Sequence, residues 1–452
     1  MDFPLALSQN RLNTAQMLAY AGPAIPLRVL LLQLVVYIPP LYATEVGLEL
    51  AAVGLVFFLA RSWDALIDPL VGNLSDRTRS RWGRRKPWLA IAAPLLMVFT
   101  WLFCLPPDSA GIAYLGLTAF AFYVAMTAFD IPFLSWGSEL SRDYSERTRI
   151  VGFREGAGML GTVLATGLPL LVFAGTEPSL REIMTVFVVI VLVLVPVTTL
   201  LCLRFTPDGQ FEDRGRRHLR GALSEVWTNQ PYVRLLAGVF CFWLAGSVFN
   251  AMVLFLVTSL LELPNSSFLW FVFVQYIAGV VCLPLAVMAG NRFGKHRALV
   301  VSTVAFFALG LLFLVIAPGQ FSHALVLFVL MGAVTSFIWV MPPALVGDAV
   351  EFGMFKGGGD DAAIYMSLYY FVQKMAMAVG VGIALPLAGL LGFDPAQGQA
   401  DLGGLAFVGL WLPLLLVLPG IGLLFNYPIT AQRHAIVRRW LYRRESRFKP
   451  EG

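Results

Sequence analysis

Apolar runs of about 20 residues, each long enough to cross a bilayer as a helix, recur along almost the whole of this 452-residue chain. About twelve can be counted. Such a chain must satisfy its backbone hydrogen bonds inside each run, since hydrocarbon offers no partners. Composition points the same way. Hydrophobic residues make up 58% and charged residues 13%, against about 25% charged in soluble proteins. The expected fold class is an all-α polytopic membrane protein.

Basic residues in short loops set orientation, because Lys and Arg collect on the cytoplasmic side. Here they alternate strictly. Arg77, Arg79, Arg81, Arg84, Arg85 and Lys86 follow the second run, and Arg142, Arg147 and Arg149 the fourth. Arg214, Arg216, Arg217 and Arg220 lie in the centre, Arg292, Lys295 and Arg297 follow the eighth run, and Arg433 to Lys449 fill the tail. The intervening loops, near Glu45, Asp108, Glu177, Glu262 and Asp394, hold Arg181 alone. An even number of spans with both termini cytoplasmic is expected, in a cell inner membrane. The net charge of +5 then reflects membrane topology rather than nucleic-acid binding. The first twenty residues lack the apolar core of a secretory signal.

The longest polar interval separates two apolar blocks of similar size. It predicts an N-terminal six-helix bundle over 1–203, a cytoplasmic linker over 204–231, a second bundle over 232–427 and a basic tail over 428–452. Each block places a basic turn after its second run: "GNLSDRTRSRWGRRKPW" from Gly72 to Trp88, and "GNRFGKHR" from Gly290 to Arg297. Weak internal symmetry of this kind is a property of transporters built from repeats. In the tail, Trp440 and Tyr442 among arginines suit a surface helix against anionic lipid. Cys104, Cys202, Cys241 and Cys282 fall in separate apolar runs and read as small core residues, while His218, His296, His323 and His434 are too scattered for a metal site. No nucleophile–base set or nucleotide loop appears, so an enzyme is not expected, and neither is a cofactor.

Charges inside spans carry the functional signal, since each costs at least about 2.5–3.5 kcal/mol at a span's centre and persists where it is paired or used. They are Arg28 in the first span, Arg61, Asp64 and Asp68 in the second, Asp130 in the fourth, Arg154 and Glu155 at the start of the fifth and Lys374 in the eleventh. Arg61, Asp64 and Asp68, spaced i, i+3 and i+7, share one helix face. Two carboxylates one turn apart repel when ionised and favour a shared proton or a bound cation. Thr127 and Asp130 share a face of the fourth span, where Pro132 removes a backbone hydrogen bond. The alternative is a structural ion-pair network of Arg61 with the two aspartates, which leaves Asp130 and Lys374 unexplained.

At these residues the chain resembles the glycoside–pentoside–hexuronide:cation symporters of the major facilitator superfamily. The matching segments are "RSWDALIDPLVGNLSDRTRSRWGRRKPW", "AFDIPFLSWGSELSRDYSERTRIVGFRE" and "GDAVEFGMFKGGGDD…YYFVQKMAMAVG", which together touch both halves. The resemblance implies the major facilitator fold, with Asp64, Asp68 and Thr127 as cation-site positions and Lys374 approaching them from the other half. It implies sugar-binding positions at Asp130 and Arg154, an aromatic at Trp339 that stacks on the sugar or serves as core, and gating or salt-bridge positions at Asp348 and Glu351 against basic loops such as Arg84 and Arg85. Arg61 belongs with these salt-bridge candidates. Four departures bear on specificity, one being that the family's basic residue after the tenth span is missing from "KGGGDD". Ile67 stands where sodium-coupled members often carry an Asn, Arg28 stands near a sugar-binding Asp, and Leu134 replaces an aromatic.

The reading is a secondary active transporter that carries a glycoside or uronide-like small molecule by alternating access, as a monomer in contact with membrane lipid. Protons are favoured over sodium as coupling ion. A lysolipid or amphiphile carrier of the same family and a non-transporting receptor on this fold are the alternatives. Arg28, if it faces the cavity, points to an anionic substrate; it could equally snorkel or pair with Asp130. Glu155 is left between the cavity, the lipid headgroups and the loop.

Overall fold

The computed structural model describes residues 12–141, 144–208, 226–355, 362–395 and 402–429. The central arginines from Arg214 to Arg220 and the basic tail from residue 430 onward lie outside them. Twelve helices are long and apolar enough to cross a membrane. In chain order they are α1 (Thr14–Leu32), α2 (Leu50–Arg77), α3 (Lys86–Cys104), α4 (Ile112–Glu139), α5 (Arg149–Val172) and α6 (Leu180–Phe205), then α7 (Gln230–Leu260), α8 (Asn265–Phe293), α9 (Lys295–Leu314), α10 (Phe321–Phe355), α11 (Ile364–Leu390) and α12 (Leu402–Phe425). No strand occurs among the described residues.

Proline shapes the spans. It lacks an amide hydrogen and clashes with the carbonyl four residues earlier, yet it lies inside α2 (Pro69), α4 (Pro132), α10 (Pro342 and Pro343) and α11 (Pro386). Membrane helices tolerate this because packed neighbours restore the lost contacts. In α1 the chain continues past Leu32 through a wider π-turn, Gln33–Tyr37, into a last helical stretch, Ile38–Thr44, that opens with Pro39 and Pro40. The missing proline amides make the α-helical register unavailable there, and the i→i+5 register takes over.

Within membranes, close approach of backbones replaces the hydrophobic effect as the source of helix association. Gly161 of α5 lies directly against the backbone of Ile25 in α1, and Gly332 of α10 against that of Gln275 in α8. The two halves meet chiefly along α2 with α11 and α5 with α8, with α1 against α7 between them. At the end of the molecule that carries the acidic loops they are tied together. Ser266 donates to the Glu177 carboxylate at 3.0 Å, Asn265 to the Pro178 carbonyl at 3.3 Å, and the rings of Tyr37 and Phe268 meet edge-on at 5.8 Å. On the same side Gly54 of α2 packs against Pro386 and Leu385 of α11, and Gly382 of α11 against Phe58 of α2.

At the basic-loop end several ion pairs lie within one half. Arg85 bridges Asp76 at 2.5 Å and Glu139 at 2.6 Å and donates to Ser75 at 2.6 Å, while Arg84 reaches Asp76 at 3.3 Å. In the second half Lys295 meets Asp348 at 2.6 Å, and Asn229 donates to the Ala349 carbonyl and the Tyr365 hydroxyl. Glu351 lies half-buried one turn on from Asp348.

Candidate functional site

A cluster of two acids, a hydroxyl and one ammonium joins the two halves near mid-span. Asp64 and Asp68 stand one turn apart on α2, and Pro69 withholds the amide that would otherwise bind the Ala65 carbonyl between them. From α4, Thr127 donates its hydroxyl to Asp64 at 2.5 Å and lies 3.3 Å from Asp68. From α11, the Lys374 ammonium meets Asp68 at 2.6 Å and Asp64 at 3.0 Å. Lys374 is therefore the countercharge of the acid pair, and it comes from the opposite half. With two carboxylates to one ammonium the cluster is one positive charge short.

Arg61 does not take this role. It is 8% exposed, lies within electrostatic reach of the Tyr123 hydroxyl, and makes no ion pair among the described residues. The structural network of Arg61 with both aspartates is thus replaced by Lys374, whose long stem crosses the α2–α11 seam and fills the space between them. Among the described residues Arg84 pairs with Asp76 and Arg85 with Asp76 and Glu139, all of the first half, while Asp348 meets Lys295 from the second half's own basic turn.

A second cluster lies between α1 and α5. Arg28 donates to Glu155 at 2.6 Å, and Arg154 grips the other oxygen of the same carboxylate through Nη2 at 2.8 Å and Nε at 3.3 Å. Arg28 lies flat over Gly158, where a Cβ would come within 3.0 Å of its side chain. Pairing with Asp130, one expectation for Arg28, gives way to Glu155 because Gly158 lets the side chain cross to α5. The Arg28 and Glu155 side chains are 45% and 42% exposed, so the pair is accessible. Across from them stand Tyr370 of α11 and Tyr276 of α8, both within electrostatic reach of Arg28. Tyr276 stacks on Trp339 of α10 with ring centroids 5.6 Å apart. Asp130 lies between the two clusters, within electrostatic reach of Lys374, Arg154 and Arg28 and hydrogen-bonded to none of them.

Of the residues singled out from sequence, the structure brings Asp64, Asp68, Thr127 and Lys374 into direct contact and joins Arg28 to Arg154 through Glu155. Ile67, 6% exposed, adds an apolar side chain and no oxygen. Glu155 is the residue sequence reasoning did not place. Its one signal was to be an acid beside an arginine inside a span.

Residues 19–431 match the family model described as MFS/sugar transport protein. The chain is 24% identical to the Glucuronide carrier protein homolog of Escherichia coli (strain K12), over 87% of this chain and 88% of that one. It is 23% identical to the Sodium-dependent lysophosphatidylcholine symporter 1 of Xenopus tropicalis, over 88% and 82%. Its fold matches that of a D-xylose-proton symporter with a TM-score of 0.61 at 15% identity, covering 92% and 97% of the two chains. These are transporters, not enzymes, and they place the protein as a multi-pass symporter of inner-membrane type. The chain belongs to the MFS/sugar transport family, among the glycoside–pentoside–hexuronide:cation symporters of the major facilitator superfamily.

Proposed function

We propose that this symporter is proton-coupled and carries a glycoside or uronide-like solute by alternating access, with both termini cytoplasmic and residues 1–203 and 232–427 as the two moving bodies. The observation that carries the reading is the Lys374 ammonium held by Asp64 and Asp68 across the seam. The pair that would bind a coupling cation is also the pair that ties the halves together. A proton on either carboxylate weakens its hold on Lys374 and loosens α11 from α2, so cation loading and bundle movement become one event. Thr127 orients Asp64 by donation, and Ile67 supplies no ligand where sodium would use one.

Arg28, Arg154 and Asp130 provide charged hydrogen-bonding groups suited to a carboxylate and hydroxyls, and Trp339 with Tyr276 provides an aromatic surface for a sugar ring. In the orientation that the basic loops favour, the closed end at Glu177 and Ser266 faces outward, making this the inward-facing form. The chain's similarity to a lysophosphatidylcholine symporter supports a second reading, an amphiphile carrier. Uptake of labelled glycosides, uronides and lysolipids into vesicles separates the two. Addition of the transported solute to a weakly buffered suspension should alkalinise the medium. Sodium-stimulated uptake at fixed pH without alkalinisation would reverse the choice of ion.

A further inference from the structure

The eight intramembrane charges sort into two clusters of opposite deficit. Asp64 and Asp68 share the single ammonium of Lys374, leaving room for one cation. Arg28 and Arg154 share the single carboxylate of Glu155, leaving room for one anion. Arg61 and Asp130 are the remaining two and cancel. These eight charges therefore sum to zero, with one cluster short of a positive charge and the other short of a negative one.

We propose that the substrate is a monoanion whose oxyanionic group takes Glu155's place on Arg28, so that cation and substrate load as a neutral pair. The inference rests on the symport reading above and adds the charge of the substrate and the role of Glu155. In the empty state Glu155 stands in for the substrate's carboxylate. On loading, it gives up Arg28, the more exposed of its two partners, and keeps Arg154, its neighbour on the same helix. Two guanidiniums then hold two carboxylates.

This bookkeeping also accounts for obligatory coupling. With the cation alone the site carries a net positive charge, and with the anion alone a net negative one, in surroundings where an uncompensated charge is expensive. The empty and doubly loaded sites are both neutral, and those two forms can reorient. A neutral sugar would leave the cation-loaded carrier charged. The stacked Tyr276 and Trp339 opposite Arg28 fit a ring-bearing carboxylate, as in a uronide.

The test uses purified full-length protein in liposomes, with a set of carboxylated solutes and their uncharged counterparts led by 4-nitrophenyl β-D-glucuronide and 4-nitrophenyl β-D-glucoside. A cation gradient at zero membrane potential should accumulate carboxylated members and not their counterparts. A membrane potential imposed without a cation gradient should accumulate neither. Accumulation driven by potential alone, or equal accumulation of glucoside and glucuronide, overturns the proposal while leaving symport standing. Accumulation of nothing under any gradient overturns the symport reading itself. Uptake of lysophosphatidylglycerol in place of the uronide would keep the monoanion and assign its source to a lipid phosphate.

Two variants read the stand-in role directly. Glu155→Gln frees Arg28 in advance and should tighten glucuronide binding by about tenfold, the equivalent of one charge-assisted hydrogen bond. Misfolding does not produce a gain of this kind. Arg28→Gln should weaken glucuronide binding about tenfold or more, a larger factor than for the glucoside, and equal loss of both would overturn the contact between Arg28 and the carboxylate. Unchanged or weaker glucuronide binding in Glu155→Gln would reduce Glu155 to a structural partner of the two arginines.

Discussion

Asp64 and Asp68 hold Lys374 unequally, and their neutralisation should differ in kind. Asp68 makes the shorter contact with the ammonium, 2.6 Å against 3.0 Å, whereas Asp64 takes the Thr127 hydroxyl. Asp68→Asn should loosen the tie between the halves more, and Asp64→Asn should disturb the cation ligand set more. Both are expected to abolish gradient-driven accumulation while downhill exchange persists. Concentrative uptake surviving in both single variants would make these residues structural charges. The acid pair was legible from spacing alone, because i and i+4 positions share a helix face. The Arg154–Glu155 contact was not. Adjacent residues on a helix point about 100° apart and do not face each other; only the length of the arginine side chain lets it double back. Spacing alone does not give Lys374's partners either, and the resemblance supplied them, since nothing in the periodicity of α2 or α11 shows which faces meet 306 residues apart.

At the level of elements, the α2–α11 seam is where packing and coupling coincide. A Cβ at Gly54 would fall 2.6 Å from Pro386 Cδ and 2.9 Å from Leu385 Cβ, and a proline ring within a helix cannot swing aside as a flexible side chain would. Gly54→Val should therefore force the outer half of the seam apart, with a cost of a few kcal/mol typical of overpacking. The closed form would lose population to its alternative. Accessibility of a single cysteine at Phe58 to an impermeant thiol reagent should rise in Gly54→Val relative to the parent with Gly54; equal labelling would show that the seam absorbs the change. The spans themselves were readable because about 20 apolar residues in hydrocarbon admit few structures. The π-turn at Gln33–Tyr37 and the pairing of α2 with α11 were not, because both depend on which neighbour fills the space a proline or glycine leaves.

For the whole molecule, the bonds at the acidic-loop end impose a consequence on transport. Ser266 with Glu177 and Asn265 with Pro178 join the start of α8 to the loop before α6, and thus the two halves, on this side. At the other end Arg85 and Lys295 bind carboxylates of their own halves. A carrier that alternates must break the first set and bring the basic-loop ends together in the opposite form. Cysteines at Glu177 and Ser266, in a background lacking Cys104, Cys202, Cys241 and Cys282, should be joined by a short reducible cross-linker added from the periplasmic side. The joined carrier should bind substrate from the cytoplasmic side and fail to turn over, and reduction should restore uptake. The side of access tests the orientation drawn from the basic loops as well, because reaction with a reagent confined to the cytoplasmic side would place this end inside. Full turnover in the joined carrier would mean that this contact stays closed through the cycle and that the opening lies elsewhere.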